Sequence, residues 1–312
     1  MDERMRRILI DAAARPDALA DSISYLTDKL RAFMKPDESV IICFDTSSAD
    51  SLGGLLWQVV TQLKGIPIKW QPDNRWKTLL RMAFVSRATV IVGTPLVVLG
   101  LTKLARATGT PLYIRNVLLA GYPCMDWMID AIRRELDCDI WGSFGLDTSA
   151  VVAGFSCDCS RGVHLRQDVY SACVMDEQGN TLPEGEAGEI FLKDLRHPSS
   201  GYRMGEHARI CRESCACGSS APRLMDLSFC NDTDPQLLEL FARLHAWTSI
   251  LDCRLQMGPA GLEIELVTFR GEKLPKLPSC AKMVVRPWNP EVDEPFTFGS
   301  PWKNSSYSGE NH

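Results

Sequence analysis

The sequence has no apolar run long enough to cross a bilayer. The longest, Ala88 to Leu101, is interrupted by Gly93 and Pro95. A membrane-spanning helix is therefore not expected. A basic excess is also missing: 34 Lys and Arg stand against 39 Asp and Glu, for a net charge of −5, with no basic patch. That sets nucleic acid aside as a partner. Met1 to Ile10 carries Arg4, Arg6 and Arg7, but the chain continues as Asp11-Ala-Ala-Ala-Arg15 rather than an apolar stretch. No secretory signal is read, and a cytoplasmic location is expected. No internal repeat is visible.

What is present is enough apolar material for a packed core. Hydrophobic residues make up 45% and charged residues 23% of 312 residues. Cysteine is abundant, at 12. Disulfides are rare in the cytosol, so clustering at metal-ligand spacing is the informative question.

Short apolar strands alternate with amphipathic helices over the first half. Asp17 to Met34 carries a helical stripe at Leu19, Ile23, Leu26, Leu30 and Phe33. Helices are also expected at Leu52 to Leu63, Trp76 to Val85, Leu96 to Arg106 and Trp127 to Leu136. Strands are expected at Ser39 to Phe44, Gly65 to Ile68, Ala88 to Val92, Asn116 to Ala120 and Cys138 to Ser143. The alternation predicts an α/β fold with a helix-flanked, mostly parallel sheet. After about residue 150 the pattern becomes short strands and turns, such as Asp176-Glu-Gln-Gly-Asn180, which predicts a β-rich subdomain. Pro235 to Trp247 reads as a helix, and Leu251 to Met257 with Leu262 to Phe269 as a strand pair. Pro287 to His312 reads as a loose tail. The expected division is an α/β core over 1–150, a β-rich subdomain over 151–230 and a small α+β unit with the tail over 231–312.

Three segments carry a family likeness. The first is Cys157-Asp-Cys-Ser-Arg-Gly-Val-His164, followed by Arg166-Gln-Asp168. The second is Leu182-Pro-Glu-Gly-Glu-Ala-Gly-Glu-Ile190. The third is Gly201-Tyr-Arg-Met-Gly-Glu-His207, with Cys215-Ala-Cys-Gly218 soon after. In this order they resemble the phenylacetate-CoA ligase branch of the adenylate-forming (AMP-binding) enzymes. The likeness covers roughly residues 20 to 225. It implies ATP or AMP with magnesium as cofactors, and an aryl carboxylate and CoA as substrates.

Cys157, His164, Cys215 and Cys217 make a Cys3His set, a standard composition for structural zinc. They resemble positions at which several relatives hold zinc. Cys159 and Cys211 are nearby alternatives, and the plainer reading is ordinary buried thiols with a satisfied histidine. The remaining cysteines read as small core residues.

The nucleotide motifs are altered. Relatives hold phosphate on a Ser/Gly/Thr-rich loop, and the chain begins at about the helix that follows it. Thr46-Ser-Ser-Ala-Asp-Ser-Leu-Gly-Gly54 reads instead as a loop into a helix capped by Ser51 or Asp50. A Gly-Gly-Glu-Pro-like turn becomes Ala120-Gly-Tyr-Pro123, so Tyr122 stands for the acid and offers a ring to adenine. Tyr-Gly-x-Thr-Glu becomes Phe144-Gly-Leu-Asp-Thr148, which keeps Gly145 and puts Asp147 and Thr148 where the metal-binding pair belongs. Glu206 stands for the ribose-binding aspartate. The Gly-Arg-x-Asp-Asp hinge is missing, and Lys303 is a loose candidate for the catalytic lysine. Each lost transition-state donor typically costs about 100- to 1,000-fold in rate. The sequence thus predicts an N-terminally truncated, degenerate homologue unable to adenylate a carboxylate alone. Two alternatives stand beside it. One is an active AMP-forming acid-CoA ligase whose ATP site is split or extended upstream. The other is a non-catalytic subunit that forms a homodimer or pairs with an intact ligase.

Overall fold

The computed structural model describes residues 16–70, 75–146, 151–158, 162–197, 201–229, 235–258, 261–269, 282–293, 295 and 302–303. Helix α1 (Pro16–Leu30) opens the described chain. Then follow β1 (Ser39–Ile42), α2 (Leu52–Gln62), β2 (Ile66–Lys69), α3 (Trp76–Val85), β3 (Val90–Gly93), α4 (Pro95–Thr108), β4 (Asn116–Leu119), α5 (Asp126–Glu135) and β5 (Asp139–Leu146). These strands lie side by side in the order β2-β1-β3-β4-β5, all parallel over this half.

The parallel strands are apolar on both faces, as a sheet covered on both sides must be. Val40, Ile42, Val90 and Val92 face α1 and α2, while Ile41, Ile91, Val117 and Leu119 face α3, α4 and α5. The side-chain period of two splits each strand between the two layers. Local chemistry sets the helix ends. Ser51 accepts from the Gly54 N–H at 3.1 Å to cap α2. Thr94 caps α4 ahead of Pro95, and Gly109 closes it at φ +67. Gly100 within α4 leaves the space that the buried Trp76 ring fills; a Cβ there would meet the ring at 2.1 Å.

The sheet continues as β6 (Val151–Phe155), β7 (Val163–Leu165), β11 (Arg223–Phe229), β10 (Gly201–Cys211), β9 (Ala187–Asp194) and β8 (Tyr170–Met175), now antiparallel. This half has its own core around Leu165, Ile190, Leu192, Ala208 and Leu224. Arg166 fastens it to α1: its buried guanidinium donates to both oxygens of Asp21 at 3.0 Å and lies over the Tyr25 ring.

A second, four-stranded sheet follows α6 (Pro235–Ala246). It comprises β12 (Ile250–Gly258), β13 (Gly261–Thr268), β14 (Lys282–Pro287) and β15 (Trp302–Lys303), in the order β14-β13-β12-β15. The expected loose tail is corrected in part. Trp288 stacks edge-on against Phe269, buried Asp293 accepts from the Trp76 N–H through its carbonyl, and β15 pairs with β12.

The second sheet is fixed to the first by apolar packing and one buried charge. Leu96 and Met128 join its core, and Leu251 and Val267 reach back into that of the parallel half. Lys103 on α4 is 2% exposed. It donates to the carbonyl of Ile250 at 2.9 Å and to that of His245, closing the C-terminal end of α6. Burial pushes its amine down from 10.5 to about 8. Between those values the unfolded chain holds the proton and the folded chain has released it. Stability therefore rises with pH across that window, by on the order of 3 kcal/mol. Buried thiols act in the opposite sense: Cys43 is held well above its ordinary value by burial, so ionisation of the unfolded thiol costs stability at high pH. The readout is therefore a difference. Chemical denaturation from about pH 7.5 to 10 should show Lys103→Met losing the upward contribution that wild type keeps. Parallel pH profiles for the two proteins would contradict the assignment.

Candidate functional site

The strand pairings bring four metal-ligand side chains together. Phe155 of β6 pairs with His164 of β7, and His164 pairs across with Arg223 of β11. Cys157 lies two residues past β6, and the tight turn at Cys215 to Gly218 lies between β10 and β11. That turn closes with the Gly218 N–H on the Cys215 carbonyl at 2.9 Å, and Gly218 takes φ +84. Cys157, His164, Cys215 and Cys217 consequently meet, their ligand atoms all within 4.8 Å of one another.

The spacing suits a tetrahedral metal. Zinc–thiolate bonds of about 2.3 Å put sulfurs about 3.8 Å apart around the ion. Cys157 and Cys215 Sγ lie 3.6 Å apart, and Cys217 Sγ lies 3.5 Å from His164 Nε2. The other ring nitrogen, Nδ1, lies 3.3 Å from the Ala221 carbonyl, which orients the ring with Nε2 toward the sulfurs. A backbone hydrogen bond from Ser219 lowers the Cys217 thiol pKa, but burial and the adjoining Cys215 and Cys157 raise it further, so the net shift is upward. A bound cation reverses that repulsion. Cys211 is not in the group: its sulfur lies 3.4 Å from Arg223 Nη2. Cys159 lies outside the described residues.

The nucleotide-motif residues divide. Tyr122, Gly145 and Glu206 line one cavity, with Gly121, Cys124, Phe144 and Leu227. Its volume is about 10 Å³. Gly145 has a backbone reason to be glycine, since a Cβ would meet the Val151 carbonyl oxygen at 1.8 Å. Glu206 keeps some residue surface, but its carboxyl head is enclosed, and Oε2 has no hydrogen-bond partner among the described residues. Burial alone raises its pKa to about 8. Asp147 and Thr148 lie outside the described residues. Lys303 sits by its backbone opposite Gln256 in β15, at an edge of the second sheet.

A larger cavity of about 240 Å³ lies alongside and shares Cys124 and Leu227 with the small one. Sequence reasoning missed it. Its walls come from α5, β5, β7 and β11, which no local pattern relates.

No protein-family profile matches the sequence, and no curated protein matches it either. Solved structures do. A 2-hydroxyisobutyryl-CoA ligase in the postadenylation state superposes with a TM-score of 0.67 at 14% identity, over 93% of this chain and 69% of the other. The fold is that of the acyl-CoA ligases. A benzoate CoA ligase from Burkholderia xenovorans gives a TM-score of 0.58 at 12% identity, covering 89% and 64% of the two chains. An amide bond synthetase from Marinactinospora thermotolerans gives 0.55 at 16% identity, covering 89% and 65%. Among the described residues no helix is long and apolar enough to cross a membrane.

The four-donor cluster carries a direct test. Zinc titration should saturate at one ion per chain. Cys215→Ser should weaken zinc at least about 100-fold, beyond the about 10–100-fold typical of losing an outer-shell partner. Acid should release the ion, because thiolate ligands must be deprotonated. Wild-type zinc affinity in the Ser variant would remove the cluster from consideration.

Proposed function

We propose that the chain is a divergent member of the adenylate-forming superfamily, of the phenylacetate-CoA ligase type, that does not adenylate a carboxylate by itself. Its three parts are the core over 1–150, the β-rich subdomain over 151–230 and the C-terminal unit over 231–312. The Cys3His cluster holds a structural zinc that ties β7 to the turn between β10 and β11.

The observation that carries this reading is the cavity beside Glu206. Tyr122, Gly145 and Glu206 stand where the resemblance puts adenine and ribose, and they enclose about 10 Å³. That is room for one water, whereas ligand cavities run from about 300 Å³ upward. Burial also drives Glu206 toward its neutral form, with its pKa raised to about 8. The acyl-CoA ligase fold supports the superfamily, and the altered nucleotide motifs at Tyr122, Asp147 and Thr148 support the inactivity.

Zinc-loaded protein incubated with ATP, magnesium, CoA and benzoate or phenylacetate should release no pyrophosphate above a Glu206→Ala control. Carboxylate-dependent release well above that control would sink the reading and favour an active acid-CoA ligase.

A further inference from the structure

The two adjoining cavities beside Glu206 are not accounted for by that reading. The wide one is walled by the side chains of Ile129, Ile140 and Leu224. At about 240 Å³ the space suits a single-ring ligand, because drug-sized ligands fill about 300–1,000 Å³. The narrow one, beyond Cys124 and Leu227, has room for one water-sized group beside Glu206.

The charges around this space are mostly of one sign. Among the described residues, Asp126, Asp158 and Asp226 line the wide cavity with Arg133 as the cation. Arg209 pairs with Asp226 at 2.8 Å from outside the lining. Cys157 also lines the cavity, and a zinc held by three thiolates and a neutral imidazole carries two positive charges against three negative. The narrow end contributes a buried carboxyl whose Oε2 has no donor. A buried polar atom without a partner costs stability until something supplies one.

We propose that the paired cavities bind a compact aromatic cation, an amidine or protonated arylalkylamine. Its ring lies against Ile129, Ile140 and Leu224, and its N–H head passes Cys124 and Leu227 to Glu206. The head supplies the donor that Oε2 lacks, and the acidic rim favours its charge. A carboxylate of the same size would meet the negative rim of Asp126, Asp158 and Asp226. Among the described residues, those that line the narrow cavity with Glu206 from other elements include Tyr122, Cys124, Phe144, Gly145 and Leu227. Of these only Tyr122 and Cys124 titrate, and the Cys124 thiol is raised to about 12 by burial and then by Glu206. Glu206 is thus the group that exchanges a proton when a cation arrives. This inference stands apart from the adenylation reading and fails separately from it.

Isothermal titration of the zinc-loaded full chain at pH 7 decides it, with benzamidine, benzamide, benzoate and adenosine as probes, in two buffers of different ionisation enthalpy. Benzamidine should bind one per chain with proton release, because Glu206, raised to about 8, gives up its proton to form the pair. Benzamide should bind at least tenfold more weakly, and benzoate and adenosine not measurably. Glu206→Gln should weaken benzamidine at least tenfold and abolish proton release. Ile129→Trp, which fills the wide cavity without touching Glu206, should weaken it too, with circular dichroism confirming both folds. Failure of benzamidine to bind wild type, undiminished binding in Glu206→Gln, or tighter binding of benzoate or adenosine would each overturn the proposal.

Discussion

One strand joins the two unlike halves of the large sheet. Over Asp139 to Gly142, β5 runs parallel to β4, and over Ser143 to Leu146 it runs antiparallel to β6. The change falls within eight residues, with a register shift between Phe144 and Gly145. Gly145 makes the shift sterically feasible, because only a residue without Cβ lets the Val151 carbonyl come so near. The antiparallel half of the sheet takes its place from this junction. The β6–β7 hairpin sets His164 beside β11, the turn after β10 brings in Cys215 and Cys217, and Glu206 on β10 ends up against Gly145 and Tyr122.

Much of this was legible in the residues. Apolar runs bounded by turn residues marked the parallel strands, and Trp76 to Val85 matched its helix end to end. The Cys3His set was legible because its spacing is chemical as well as structural. Strands β10 and β11 were not. β10 carries a positive-φ Gly205 and a register shift between Arg203 and His207, which break the alternation that marks a strand. β14 escaped for another reason. It is exposed on both faces, with Val284 and Val285 in solvent, so no burial pattern betrays it. The C-terminal residues read as a tail because their order comes from distant partners, such as Asp293 under Trp76.

Two buried ionisable groups show how far side-chain identity alone reaches. Lys103 and Glu206 are both enclosed, and burial drives each toward its neutral form. Lys103 finds two backbone carbonyls and so serves as a fastener between α4 and the second sheet. Glu206 has an oxygen with no donor and a cavity beside it. A polar group that is satisfied belongs to the fold, and one left unsatisfied beside open space points to a ligand. Neither distinction is written in the local sequence, since a lysine in an apolar helix and a glutamate in a strand look alike until their neighbours are known.

The central claim is that the space around Glu206 no longer accepts a nucleotide. Calorimetric titration of zinc-loaded protein with ATP·Mg and with AMP tests it most directly. No heat of binding up to millimolar nucleotide is the predicted result. Saturable binding in the micromolar range would contradict the claim and show that the site opens to hold adenylate.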